Sequence, residues 1–129
     1  MSQGLIRRFL GAFGIQGPLA VQTIGSLSGG QKARVCMAEM AMREPHLLCL
    51  DEPTNHLDLD AIRALCDGLQ EFEGGLVMIS HHMEAIDRAC SQLWVVQADG
   101  TVDEFEGSFA EYKEHVLSQH KWEDDSEDE

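Results

Sequence analysis

The sequence predicts an α/β fold in which parallel β-strands are flanked by helices. Two short, continuous apolar runs, residues 47–50 and 76–79, suit strands that are buried on both faces. Between them, apolar side chains recur at helical spacing and indicate a helix. A strand, a helix and a strand within about 35 residues form a βαβ unit, so the two strands are expected to be parallel.

Two helices are expected before this unit. The first ends where Gly14 breaks an apolar stripe, and a loop then runs to about Ser26. The stripe comprises Leu5, Ile6, Phe9, Leu10 and Phe13. The second helix, residues 31–43, follows a cap at Ser28, and its Ala- and Met-rich composition predicts that it is largely buried.

Within the βαβ unit, Asp58 is placed to cap the helix. The buried stripe of that helix comprises Ile62, Leu65, Leu69 and Phe72. Gly74 and Gly75 then turn the chain into the second strand.

A third strand is expected over residues 93–96. A turn at Asp99 and Gly100 then returns the chain as residues 101–105, so that the two segments form a hairpin. The last helix opens with Ser108 and Glu111 in a capping box. Its buried stripe is expected to contain Phe109, Tyr112 and Val116.

Charge is distributed unevenly along the chain, whose net charge is −14. Residues 1–43 carry five basic side chains and one acidic one, whereas residues 44–129 carry four basic and 22 acidic ones. The acidic charge of residues 44–129 repels the phosphate backbone of nucleic acids, which argues against independent nucleic-acid binding. Binding would be possible only through the basic residues in 1–43. The tail, residues 123–129, holds six acids and is expected to be disordered. Ser126 there is either part of a solubilising terminus or a phosphate acceptor for an acid-directed kinase.

No apolar run approaches the roughly 20 residues that cross a bilayer, and no cleavage site follows the Arg7-Arg8 pair. No membrane partner and no signal peptide are therefore expected. The four cysteines form no C-x-x-C pair and each lies in an apolar pattern. They are interpreted as buried, reduced thiols of a cytoplasmic protein.

Chemistry-bearing side chains follow both central strands. Asp51, Glu52 and His81 fall at carboxyl ends, which in a parallel sheet open on one ligand-binding edge. Asp58 lies nearby in the sequence, and the mutual repulsion of three close carboxylates is unfavourable unless a cation neutralises it. A hydrated Mg²⁺, bound by these carboxylates and by phosphate oxygens, would provide that positive charge. Alternatively, a buried strand simply ends in solvated acids.

A second cluster is Leu27-Ser28-Gly29-Gly30-Gln31. Two glycines allow close backbone approach, a hydroxyl is present, and the N-terminus of the next helix directs free N–H groups and a positive dipole at an anion. A phosphate would fit there. A plain helix cap with a glycine turn explains the same residues.

Taken together, the sequence motifs resemble those of the ATP-binding cassette (ABC) ATPases, and the resemblance covers roughly residues 1–120. Three motifs occur in order: residues 27–31, then Leu-Leu-Cys-Leu-Asp-Glu-Pro-Thr-Asn-His-Leu-Asp over 47–58, then Ile-Ser-His over 79–81. The sequence of residues 51–58 and the Phe-x-x-Tyr-Lys motif of the helix at 109–113 are most similar to the ABC-F branch. The C-terminal end is most similar to the second cassette of that branch. The implied fold is the C-terminal part of a P-loop NTPase, with the end of the helical signature subdomain.

The resemblance implies a role for each motif. Residues 27–31, including Ser28, Gly29, Gly30 and Gln31, become the signature that contacts ATP held by an opposing cassette. Asp51 becomes the Walker B acid that holds Mg²⁺ through water, and Glu52 the general base. Residues 55–58, with Asp58, become the D-loop, and His81 the switch histidine that senses the γ-phosphate. These roles suit phosphoryl transfer, which needs positioned charge.

The sequence departs from the family pattern in two ways. His82 stands where the family usually has Asp, which puts the local charge in doubt. No Lys follows a Gly, so the P-loop motif that grips the phosphates is missing, and only 26 residues precede the signature. The chain is therefore expected to be the second half of a cassette, marginally stable alone and without Mg²⁺-ATPase activity. It is either a fragment or a half completed by another chain.

The expected organisation is the end of the helical subdomain over 1–45, the Walker B, D-loop and switch part of the core with the last helix over 46–122, and the acidic tail over 123–129. The resemblance implies ATP and Mg²⁺ as ligands, another cassette in cis or trans as partner, and a role in translation at the ribosome. Two alternatives stay open: a non-catalytic remnant that docks on a complete cassette, and part of the nucleotide-binding subunit of a membrane transporter.

Overall fold

A computed structural model describes residues 1–124, with side chains described through residue 119. The chain forms two compact units, Met1–Ala89 and Cys90–Glu129. Five α-helices and four β-strands are assigned in the described residues: α1 (Gln3–Ala12), α2 (Gly29–Met42), β1 (Leu47–Asp51), α3 (Leu59–Glu71), β2 (Gly75–Ile79), α4 (Met83–Ala89), β3 (Leu93–Val96), β4 (Val102–Phe105) and α5 (Phe109–Asp124).

The first unit contains the expected βαβ arrangement, and the α/β fold class is confirmed. Strands β1 and β2 pair in parallel, with Leu47 opposite Gly75 and Asp51 opposite Ile79. Helix α3 connects them, and the side chain of Asp58 caps it by accepting a hydrogen bond of 2.8 Å from the amide of Ala61.

The apolar core of this unit lies on one face of the two-stranded sheet, against α1, α2 and α3. Its buried members are Phe13, Ala38, Ala41, Leu48, Leu50, Leu65 and Leu69. Phe13 fits because Gly68 of α3 has no side chain: a β-carbon there would collide with the phenyl ring. The helices are thus packed around an aromatic anchor that comes from the end of α1.

The opposite face of the sheet is exposed in the described residues, contrary to the expectation of strands buried on both faces. Along β1 exposed and buried residues alternate, and Leu47 is 54% exposed. Val77 and Ile79 of β2 are also exposed, Ile79 to 59%. The expectation was wrong because a strand is buried on both faces only if helices or other segments pack on each face. The sequence of the strand does not show which distant segments do so.

Helix α2 begins with a capping box, in which Ser28 Oγ accepts from the amide of Gln31 at 3.2 Å and Gln31 Oε1 accepts from the amide of Ser28 at 3.0 Å. Only Ala38 and Ala41 of this helix are fully buried. The expected large burial was wrong, since only one side of α2 meets the core. Between α1 and α2 the expected loop contains two short 3-10 helices, Gly17–Val21 and Ile24–Ser26.

Helix α4 was not anticipated from the sequence. It packs on α3 through Ala85, which lies beside Ile62 and Cys66. Gln70 Nε2 also donates to the carbonyl of Arg88 at 2.7 Å. With seven residues, α4 is too short to show a clear apolar period.

The second unit consists of a hairpin and α5. Strands β3 and β4 are antiparallel, as expected, with Leu93 opposite Phe105. Ser108 and Glu111 form the capping box of α5, with hydrogen bonds of 2.6 and 3.2 Å. The expected stripe on α5 is half-buried, not fully buried. Helix α5 extends to Asp124, two residues into the expected acidic tail, and the rest of that tail, with Ser126, lies outside the described residues.

Candidate functional site

The structure brings Glu52 and His81 together at the carboxyl ends of β1 and β2. His81 Nε2 lies 3.3 Å from Glu52 Oε1. The amide of Glu52 donates to the carbonyl of Ile79 at 2.7 Å, which continues the strand pairing past the end of β1. The His81 side chain is 96% exposed and that of Glu52 24%, so an acid and an imidazole face a space open to ligands.

The backbone of Glu52 adopts the left-handed conformation, with φ of 48°. For a residue with a side chain this conformation costs about 1–2 kcal/mol and is more common at functional sites than elsewhere. It turns the chain sharply out of β1, and the amide of Asn55 then donates to the carbonyl of Glu52 at 3.3 Å. Thr54 is buried within this turn. Hydrogen bonds of this turn thus fix the backbone that carries the Glu52 carboxylate.

Asp51 and Asp58 lie on either side of this turn. Asp51 is the last residue of β1 and is exposed. Asp58 has a structural contact of its own, because its Oδ1 caps α3. The described residues contain no group of three or more metal-binding side chains. A single carboxylate such as Asp51 nevertheless suits Mg²⁺, which keeps several waters and takes its other ligands from phosphates.

The residues of the expected signature lie at the start of α2. Ser28 and Gly29 are exposed, whereas Leu27 is buried. A β-carbon at Gly30 would lie 3.2 Å from the β-carbon of Ala61, so Gly30 allows α2 to approach the start of α3 closely. This contact places the signature beside the segment capped by Asp58.

The structure therefore joins the expected site residues in two groups, Glu52 with His81 and Gly30 with the start of α3. Among the described residues, no hydrogen bond or ion pair links one group to the other. Ser28 Oγ is engaged by the amide of Gln31, but as an acceptor it retains a second lone pair and its own proton.

The contacts of two residues near the site, Arg34 and His82, were missed in the sequence. Arg34 donates through Nη1 to the carbonyl of Phe13 and through Nε to the carbonyl of Gly30, each at 3.4 Å, so it ties the end of α1 to the start of α2. Its position one helical turn after Gly30 is the only signal. His82 Nδ1 accepts a hydrogen bond from the amide of Ala85 at 3.2 Å, a role that the sequence alone did not indicate.

A cavity of about 670 Å³ lies at the other end of these strands, next to His46 and Gly75. Its walls come from α1 and from the ends of α2 and α3, and include Phe9 and Phe72. None of the expected site residues lines it.

Sequence comparisons connect this arrangement to known proteins. A family profile described as ABC transporter matches residues 4–55. ABC transporter F family member 4 of Dictyostelium discoideum is 52% identical over 111 residues, which are 86% of this chain and 10% of that protein. Protein GCN20 of Saccharomyces cerevisiae is 47% identical over 111 residues, 86% of this chain and 15% of that protein.

ATP-binding cassette sub-family F member 2 of Mus musculus is 43% identical over 113 residues, 88% of this chain and 18% of that protein. The chain thus spans between 10% and 18% of the length of these three curated relatives.

A structural comparison agrees on the fold. A solved chain described with ATP-driven dimerization and DNA-stimulated activation of SMC ATPases superposes with a TM-score of 0.57, covering 77% of this chain and 65% of that one. At 18% sequence identity this similarity supports the shared fold alone. No helix within residues 1–124 combines the length and apolar character needed to cross a bilayer.

Proposed function

The chain belongs to the ABC-F branch of the ATP-binding cassette ATPases, and from this premise we propose that it supplies the signature, Walker B, D-loop and switch elements of a cassette that binds and hydrolyses ATP. The observation that carries the proposal is the 3.3 Å approach of His81 to Glu52. Two side chains from separate parallel strands meet there at the ligand-binding edge of the sheet.

In the proposed mechanism Glu52 is the general base. Its carboxylate orients the attacking water and accepts its proton, which requires a fixed position more than an unusual acidity. The turn after β1 supplies that position. His81 is exposed enough to hydrogen-bond a γ-phosphate while it stays near Glu52. Mg²⁺, held through water by Asp51, would neutralise charge on the phosphates.

The start of α2 has a different task in this proposal. Ser28, Gly29 and Gln31 face ATP held by an opposing cassette, where the first amides of α2 and its positive dipole end would bind phosphate. Gly30 and Asp58 fix this segment relative to α3. Gly30 packs closely against Ala61, and the side chain of Asp58 accepts a hydrogen bond from the amide of the same residue.

The phosphate-gripping lysine must come from another segment, in the same polypeptide or in a partner. The exposed apolar face of β1 and β2 supports this part of the proposal, since parallel sheets are normally covered on both faces. We therefore propose that the isolated chain does not hydrolyse ATP. We also propose that the complete protein acts in the cytoplasm, at the ribosome, as the resemblance to the ABC-F branch implies.

The test is ATP turnover by the chain combined with a P-loop-bearing half of a related cassette. We expect Mg²⁺-dependent turnover that Glu52→Gln abolishes and that Glu73→Gln leaves unchanged. Glu73 is an exposed glutamate that is not part of the site, and it makes the matched control. If the two halves associate but turnover equals that of Glu52→Gln, the catalytic proposal is wrong.

Association with ribosomes is tested separately, by sedimentation of the combined halves with purified ribosomes. Binding that requires ATP is expected. Combined halves that stay in the supernatant with ATP present would contradict the proposed site of action.

A further inference from the structure

Helix α4 begins with an unusual cap. His82 Nδ1 accepts a hydrogen bond from the amide of Ala85, three residues on, at 3.2 Å. The carbonyl of His82 accepts the first helical bond, from the amide of Ile86, at 3.1 Å. This is the pattern of an N-cap residue, a position that usually holds Ser, Thr, Asp or Asn. The imidazole therefore performs the task that an aspartate at this position would perform with its carboxylate.

The cap lies directly behind the switch histidine. The amide of His82 donates to Ser80 Oγ at 3.0 Å, so hydrogen bonds hold this residue toward β2 as well as toward α4. The side chain of His81 is almost fully exposed, and its Nε2 lies 3.3 Å from Glu52 Oε1. The position of His81 therefore depends on its backbone, which the neighbouring cap fixes.

Helix α4 depends strongly on such a cap. A seven-residue helix is marginal by itself, because the cost of its first turn is shared by few hydrogen bonds. Ala85 and Ile86 are buried, and Ala85 packs on Ile62 and Cys66 of α3. The cap and this small contact together hold the helix that follows His81.

The cap exists in only one charge state of the imidazole. Nδ1 can accept a hydrogen bond when the ring is neutral and its proton is on Nε2, whereas a protonated ring has a donor at both nitrogens. Protonation would also place a positive charge at the positive end of the helix dipole. Both effects oppose the helix, and histidines change charge between about pH 5 and 8.

Charged groups lie close to His82. Glu84 of α4 interacts with it, and Glu84 is in turn paired with Arg63 of α3 and Arg88 of α4. His81, the preceding residue, lies 3.3 Å from Glu52 at the end of β1. The Arg63 hydrogen bond to Glu84, at 2.9 Å, is the main reason that the pKa of Glu84 is lowered, and His82 is the last contributor. Glu84 already forms ion pairs with Arg63 and Arg88. A protonated His82 would have to share this carboxylate with both arginines, so Glu84 would stabilise it only weakly.

We propose that His82 is a positioning residue for His81, and that its neutral imidazole caps α4 through a hydrogen bond that protonation of the ring would break. The segment that carries the switch histidine is then ordered while the ring is neutral and loosened when the ring is protonated. The functional half of this inference rests on the proposed role of His81, whereas the capping half does not.

The capping half is tested by hydrogen exchange at the amide of Ala85 in the full chain, expressed as a protection factor so that the intrinsic effect of pH is removed. We expect protection to fall about fivefold between pH 7.5 and 5.5, the factor that a typical N-cap contributes. His82→Asp should keep protection high at both pH values, since its carboxylate accepts throughout this range. His82→Ala should give low protection at both.

His46→Asn is the matched control, because His46 is an exposed histidine away from α4, and it should keep the pH dependence. Wild-type protection that does not change with pH, or a pH dependence that survives in His82→Asp, would overturn the cap.

The positioning half is tested by the pH profile of turnover in the complemented cassette. His82→Asp should retain more activity than wild type at pH 5.5 and equal it at pH 7.5. Identical profiles would overturn the positioning role. An absence of turnover in every protein, wild type included, would contradict the proposed function, and the exchange measurement would still decide whether His82 caps α4.

Discussion

Glu52 and His81 illustrate what single residues contribute to this site. Their approach could be predicted from the sequence, because two apolar runs joined by a helix imply parallel strands, whose carboxyl ends share an edge. The strained backbone of Glu52 could not, since glutamate has no special preference for a positive φ. That conformation arises from the turn that follows, which is held by backbone hydrogen bonds.

His82 and Arg34 were beyond sequence analysis for a related reason. Each acts through a hydrogen bond to a main-chain group, and neither residue type has that contact as its usual role. Asp58, by contrast, was placed correctly as a cap because aspartate before an apolar helical stripe is a common N-terminal pattern.

The four cysteines give a prediction at this scale. All four were expected to be buried, but Cys36 and Cys49 are exposed, whereas Cys66 is buried and Cys90 intermediate. Cys49 is exposed because it lies on the open face of β1. Burial also raises the pKa of the Cys90 thiol, which reduces its thiolate fraction at a given pH.

Brief alkylation at pH 8, followed by mass spectrometry, should therefore modify Cys36 and Cys49 first. Cys66 and Cys90 should react at least tenfold more slowly, and become equally reactive in denaturant. Rapid modification of Cys66 in the folded chain would contradict the packing of α3 on α4.

At the scale of elements, local signals accounted for most of the success. The cap at Ser28 and the capping box at Ser108 were both predicted from short patterns, and the structure shows a capping box at each. Helix α4 was missed because its seven residues show no apolar period and its cap is a histidine. The degree of burial of α2 was overestimated, because composition does not reveal which neighbours a helix has.

The packing of Phe13 on α3 gives a prediction at this scale. Gly68→Ala should lower the free energy of unfolding by about 1–3 kcal/mol, because the new methyl group collides with the phenyl ring. The matched control is Gly4→Ala in α1, where a β-carbon meets no atom within 4 Å. This control should raise the free energy of unfolding by up to about 1 kcal/mol, as alanine does in a helix.

Urea unfolding followed by circular dichroism would measure both changes. A neutral or stabilising effect of Gly68→Ala would show that Phe13 is not packed on α3 in solution.

At the scale of the whole molecule, the described residues form two units that each contain a two-stranded sheet. The parallel sheet has an open apolar face, with Leu47 and Val77 among its exposed residues. Such a face favours association, and parallel sheets are rarely left uncovered. The apolar runs taken alone predicted burial on both faces, whereas the missing P-loop motif predicted a chain that is only the second half of a cassette.

This open face gives a prediction about assembly. The double substitution Leu47→Lys, Val77→Lys should reduce binding of a hydrophobic dye and self-association, because two charges replace apolar surface. Helix content should stay the same, since both side chains point away from the core. The same protein should fail to combine with a P-loop-bearing half.

Light scattering and circular dichroism would measure these effects, with Glu73→Lys as a control for added positive charge. Normal combination of the doubly substituted chain with its complement would show that another surface holds the two halves together.

The most direct test of the account is a magnetic-resonance titration of the complemented cassette, carrying labelled histidine, with Mg²⁺ and a non-hydrolysable ATP analogue. The ring signals of His81 should shift on saturation, whereas those of His46 and His115 should not. Saturable binding of the analogue that leaves the His81 signals unchanged would contradict the claim that the carboxyl ends of β1 and β2 form the γ-phosphate site.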